Sequence, residues 1–300
     1  MNDYERARAN YQNYFDKSRG AEKFEALLLM AKMNERRGAI SKAQELYKQY
    51  YDARPRNPAG IVEAAYKVAK IHQKRGNKKD AEEWLKKVIY QQKQFSTAEK
   101  PVGVSYAAEA KFTFVYKTYD EFRLVRIPAN PQKQAQAIKE KLAFLNRLKD
   151  QLKDVIRYDD GPYVVNSLAL IGQAYQHMAA SIYAVPIPKG LDAESEKKYK
   201  EGVDGIAKPF LEEAIKNYES AIERGFKLEG YGDGLKTAAR ELNRLNKDKF
   251  PDFGERAVLT KLTDYMEILQ ESDISPAFRA GEESMLVEAC SKRSARIRMI

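Results

Sequence analysis

The chain has 300 residues, 43% hydrophobic and 32% charged, with a formal net charge of +10 and a mean hydropathy of −0.65. That is ample apolar material for a core, but it describes an elongated, heavily solvated body rather than a compact globule. The single cysteine, Cys290, excludes an intrachain disulfide and a cysteine-rich zinc site, and leaves the redox compartment open.

No basic cluster followed by an apolar run opens the sequence, so no signal peptide is expected in this chain. The longest stretch free of Asp, Glu, Lys and Arg runs from Gly161 to Pro188. Asn166, Gln173, Gln176 and His177 interrupt it, and each would need a partner in hydrocarbon, so it reads as a buried central helix and not a membrane span. Residues 1–100 hold 22 Lys and Arg against 13 Asp and Glu, while residues 101–300 hold 31 against 30. Positive charge is thus a property of the first third, where it suits an acidic partner, anionic lipid or nucleic acid. Spread over helix faces, it also reads as plain solvated surface.

In chain order, Ala7, Tyr11 and Tyr14 share the four-and-three spacing of Ala43, Tyr47 and Tyr50. Residues 1–18 are therefore expected to be the second helix of a repeat whose first helix is missing, with an apolar flank left for further repeats or self-association. Residues 19–94 read as two helical hairpins of one design, because an offset of 38 brings Ala31 onto Ala69, Gly38 onto Gly76, Ala43 onto Ala81 and Tyr47 onto Leu85. The small residues let backbones approach, while Leu27, Met30, Tyr47 and Tyr50 fill the space between neighbours. Gly38 and Gly76 end the first helices, and Pro55 and Pro58 close the second helix of the first unit.

Residues 95–158 read as a further pair, Tyr106 to Phe122 and Gln132 to Tyr158. The second is about seven turns long, with Ala135, Ile138, Leu142, Leu145, Leu148, Leu152 and Ile156 recurring at three and four residues. Residues 159–226 form another hairpin: Leu168, Ile171, Gly172 and Tyr175 in its first helix, Ala214, Tyr218 and Ala221 in its second. An insertion at 185–205, with Pro186, Pro188, Gly190 and the charged run Glu194 to Glu201, is expected to project as a loop or an extended helix. Further helices are expected over 227–290, one of them at Ala257 to Gln270, and a basic tail over 291–300. No alternating β-type segment occurs, so the fold class is all-α: a solenoid of antiparallel helix pairs with irregular repeats.

The residues Leu27, Met30, Ala31, Gly38, Ala43, Tyr47 and Pro55 resemble the tetratricopeptide family at its characteristic positions. The second unit departs from it at Ala65 and Lys93, and the spacing of 38 exceeds the family's usual 34 by about one helical turn. More narrowly, Ala207 to Ile215 and onward to Tyr231, with Pro186-Ile187-Pro188 and the Ile127 to Gln132 turn, resemble cell-envelope tetratricopeptide proteins of gliding and predatory bacteria, over roughly residues 100–240. That resemblance implies a protein–protein interaction scaffold of an envelope or adventurous gliding motility complex, in the periplasm or cell envelope; the cytoplasm is the alternative.

Chemistry-bearing residues are few. His72 stands at the tyrosine position of the second repeat and reads as packing, and His177 has no His or Cys at ligand spacing. Gly230, Gly232 and Gly234 follow a helix rather than a strand and read as a connecting loop. Asp159 and Asp160 precede Gly161-Pro162 and read as helix caps. The Tyr47, Lys48, Tyr50 and Tyr51 cluster would suit stacked bases but matches inward repeat positions. No catalytic site, metal or cofactor is expected. The family register places the groove on first-helix residues: Leu28, Lys32 and Arg36; Tyr66, Lys70 and Lys74; Asn166, Ala169, Gln173 and His177. The amides would grip a peptide backbone and the cations an acidic segment. Leu28, where a base would be wanted, speaks against a carboxylate clamp. A nucleic-acid-binding repeat protein using the basic first third is the alternative.

Overall fold

The computed structural model describes residues 3–97 and 99–251. Met1–Asn246 form one compact unit and Lys247–Ile300 a second. The helix expected at 257–270, Cys290 and the basic tail lie outside the described residues.

The first unit is an all-α helical solenoid. Its helices among the described residues are α1 (Asp3–Lys17), α2 (Ala21–Arg36), α3 (Ile40–Ala53), α4 (Pro58–Lys74), α5 (Lys78–Phe95), α6 (Val104–Leu124), α7 (Pro131–Ile156), α8 (Gly161–Tyr183), α9 (Ala193–Lys227) and α10 (Asp233–Leu245). They pack as hairpins, α2 on α3, α4 on α5, α6 on α7 and α8 on α9, with α1 against α2 and α10 against both α8 and α9. First helices also meet across hairpins, α4 on α6 and α6 on α8. No helix among the described residues is long and apolar enough to cross a membrane.

Local chemistry sets the helix ends. Asn57, Asn130, Asp160 and Asp192 each accept a backbone N–H in the first turn of α4, α7, α8 and α9, at 2.7 to 3.3 Å. Pro58 and Pro131 open α4 and α7, where a missing N–H costs nothing; Pro58 therefore starts the second hairpin as well as ending the first. Gly38 and Gly76 sit at φ 82° and 75°. Around them Gly38 N–H donates to the Glu35 carbonyl and Ala39 N–H to that of Asn34, a pattern repeated by Gly76 to Gln73 and Asn77 to His72. This paired closure needs a left-handed residue, which glycine supplies without a Cβ clash.

The repeat register is visible in the core. Ala31, Ala43 and Ala69 are fully enclosed, Ala81 nearly so, and Tyr47 and Tyr50 fill the space beside them. In the later hairpin Gly172 lets α8 approach α9 so closely that a Cβ there would lie 2.6 Å from a Tyr218 ring carbon. One sequence expectation narrows and another shifts. The insertion at 185–205 is a loop only to Asp192; from Ala193 the chain runs as one 35-residue helix straight through Pro209, so most of it is helical extension. The buried line of α7 is Lys141, Leu145, Leu148, Leu152 and Val155, which leaves Ala135 exposed and Leu142 and Ile156 only partly buried.

Two glycine-to-alanine substitutions test this packing with opposite signs. Gly172→Ala forces α8 from Tyr218 and is expected to lower stability to urea by about 2 kcal/mol. Gly202→Ala, at a site in α9 with nothing within 4 Å, is expected to raise it by about 0.5–1 kcal/mol through helix propensity.

Candidate functional site

The first helices α2, α4, α6 and α8 carry the residues assigned to a groove, and the structure laces that row together with charge. Lys32 on α2 pairs with Glu63 on α4 at 2.8 Å. In return Lys67 on α4 reaches Glu35 on α2 at 3.0 Å, and the buried Tyr47 hydroxyl donates to the same carboxylate at 2.7 Å. One repeat on, Lys70 donates to Glu109 of α6 at 2.8 Å and the Tyr66 hydroxyl at 2.6 Å. The Tyr163 phenol of α8 also lies close enough to interact with Glu109, so a single carboxylate couples α4, α6 and α8. The Tyr66 ring stacks on Tyr106, centroids 4.6 Å apart.

Burial alone would push the Glu109 and Glu35 carboxyls up; the lysine and tyrosine donors outweigh it and hold both below the usual carboxylate value. Burial, followed by the neighbouring carboxylates, pushes the Tyr47, Tyr66 and Tyr163 phenols well above theirs. Near neutral pH these groups therefore keep their protons fixed: the network is adhesive rather than acid–base active. No group of three His, Cys, Asp or Glu among the described residues is arranged to hold a metal ion.

The expected groove residues consequently divide. Lys32, Lys70 and Tyr66 make ion pairs and hydrogen bonds between helices, with more than a third of the Lys32 and Lys70 side chains still exposed. Asn166 is likewise committed, its side-chain carbonyl accepting the Gly234 N–H at 2.9 Å where α10 begins. Gln176 accepts from Tyr218 at 2.6 Å and donates to the buried Glu241 at 3.3 Å. His177 lies against the end of α6, its ring edge-on to Phe122 and Nε2 3.2 Å from the Arg123 carbonyl. Arg36 and Lys74 remain exposed. They sit 38 residues apart, one turn beyond Lys32 and Lys70, and neither meets a carboxylate in an ion pair among the described residues. Gln173 is half-buried with its amide uncommitted among the described residues.

A feature missed in the sequence lies beside His177. Lys141 is fully buried, and its Nζ donates to the Phe122 carbonyl at 3.3 Å and to that of Val125, stands 3.4 Å from His177 Nε2, and lies over the Phe122 ring. The ammonium thus satisfies the last carbonyls of α6, where no glycine closes the helix. Burial lowers its pKa to about 8, and burial together with the neighbouring cation lowers that of His177. The spacing Ile138, Lys141, Leu145, Leu148 was the available signal.

Both ionic devices leave signatures in pH. Glu109, lowered in the folded state, contributes stability fully above the unfolded value near 4.5, and that contribution fades as pH falls through the folded value. Glu109→Gln is expected to cost about 1–2 kcal/mol at pH 7, the partly exposed Lys70 limiting the loss, and less at pH 3 by chemical denaturation. Lys141 behaves oppositely: between pH 8 and the unfolded 10.5 the unfolded chain binds more protons, so its contribution rises with pH. The stability difference between wild type and Lys141→Met is expected to move in favour of wild type from pH 7.5 to 9.5, below the titration of most tyrosines.

No family model matches the chain, and no curated protein matches it. Among solved structures, the crystal structure of BtubC (BKLC) from P. vanneervenii aligns with 77% of this chain and 94% of its own, at 13% identity and a TM-score of 0.33; a likeness of that size carries no functional argument.

Proposed function

We propose that the chain is a non-enzymatic scaffold that holds a segment of another protein along its first-helix row. The carrying observation is the repeated cation. Arg36 and Lys74 occupy one register in consecutive hairpins, exposed at the ends of α2 and α4, while the lysines one turn earlier are neutralised by glutamates. The helices that carry Arg36 and Lys74 are joined by the Lys32–Glu63 and Lys67–Glu35 pairs, so the two cations suit acidic side chains spaced along an extended or helical segment. The amide of Gln173 on α8 adds a donor and an acceptor for a peptide backbone. The resemblance of residues 100–240 to envelope proteins extends the proposal to an envelope or motility complex. The exposed Tyr14 on α1 extends it to self-association at that end.

A photo-crosslinking residue placed at Gln173 in the source cell tests the reading. It is expected to trap a protein, and Arg36→Glu with Lys74→Glu is expected to reduce the adduct at least about tenfold, as charge reversal at a recognition contact does, with an unchanged melting temperature. An undiminished adduct overturns the proposal. So does recovery of nucleic acid whose binding to the full chain falls steeply with salt, which would establish the polynucleotide alternative.

A further inference from the structure

α5 and α7 stand on either side of α6 and leave a cleft of about 420 Å3. Its walls are Lys86, Ile89, Tyr90 and Lys93 from α5, Lys111, Phe114, Val115 and Thr118 from α6, and Gln151 from α7. The two helices present the same template. On α5 an apolar pair at i+3 and i+4 lies between lysines at i and i+7; on α6 Phe114 and Val115 lie between Lys111 and Thr118. Positions i, i+3, i+4 and i+7 share one helix face, so apolar surface and bracketing charge point into one cleft.

Three observations bear on what would fill it. Tyr90 is 59% exposed, so a large ring is held at the rim where an occupant would cover it. The Gln151 side-chain oxygen is enclosed yet has no hydrogen-bond partner, a condition that folded proteins avoid and that an N–H from an occupant would relieve. Among the described residues Lys86 and Lys93 make no ion pair, whereas the carboxylates nearby are taken: Glu82 by Lys117, and Asp154 by Arg157 at 2.8 Å, with Lys111 at 4.0 Å. The cleft is therefore apolar at its floor and positive at its margins.

We infer that this cleft docks an acidic amphipathic segment of a partner protein, with bulky apolar side chains on Ile89, Phe114 and Val115 and carboxylates on Lys86 and Lys93. The spacing decides for a peptide over an anionic amphiphile. Seven residues of helix separate the two lysines by about 10.5 Å, two carboxylates set two turns apart span that distance, and a single-headed lipid reaches one lysine only. The site is independent of the first-helix row, so failure of either reading leaves the other standing.

The test uses the full chain and a fluorescein-labelled synthetic helical peptide carrying two leucines between glutamates at i and i+7, read by fluorescence anisotropy. Saturable binding is expected, weakened at least about tenfold by Lys86→Glu with Lys93→Glu. Leucine-to-alanine replacement in the peptide is expected to weaken it similarly, and Arg36→Glu with Lys74→Glu to leave it unchanged. Both lysines are exposed, so the reversal leaves the fold intact, as circular dichroism would verify. Absence of binding at submillimolar peptide, or binding indifferent to the Lys86 and Lys93 reversal, overturns the inference. Binding of sodium oleate in place of the peptide overturns it too, in favour of a lipid pocket.

Discussion

A carboxylate taken out of water between helices must be met by donors, and Glu109 is met by two, with a further phenol close by. Lys70 and Tyr66 come from α4 and Tyr163 from α8, while the carboxylate itself belongs to α6. Because each donor has to arrive at one small group, the angular and axial positions of three first helices are fixed together. Glu35 performs a similar office between α2 and α4 with Lys67 and, from α3, Tyr47. Apolar packing of alanines and tyrosines sets how closely the hairpins approach; the glutamates set their register along the row.

That division of labour explains why the positions that a groove reading favours are so unequal. On a first helix, residues four apart share a face, and the inner half of that face is within reach of the neighbouring helix. Lys32 and Lys70 lie in that inner half and are drawn into the ladder. Arg36 and Lys74, one turn further on, stand exposed at the helix ends without an ion pair among the described residues, Lys74 acting on Glu35 only at a distance. Position relative to the neighbour, rather than residue type, separates a structural cation from one open to a partner.

The helices and their hairpin pairing were legible because local rules set them: the 38-residue offset, the glycine ends, the capping Asn and Asp, and the small residues at close approach. The site was legible in part. The register correctly put Lys32, Lys70 and Gln173 on first helices, but nothing in spacing alone shows that Glu63 and Glu109 stand opposite the lysines, since those pairs join residues 31 and 39 apart across hairpins of different length. Asn166 looked open because its partner is a backbone N–H of a helix beginning 67 residues later. Lys141 was passed over because a lysine in an apolar line suggests the edge of the stripe; its alkyl stem continues the core, and the ammonium finds the end of α6.

The contrast between the glycine endings and the Lys141 ending bears on modularity. α2 and α4 terminate through hydrogen bonds within their own closing turns, so the hairpins they open carry their punctuation with them. α6 terminates on a side chain that comes from the third turn of α7 and is completed beside α8. Its last turn becomes complete only when the neighbouring helices have docked. The first two hairpins thus carry their own helix ends, whereas α6, α7 and α8 form one block in this respect, and a boundary drawn between residues 124 and 161 for truncation, duplication or exchange would leave a helix without its end.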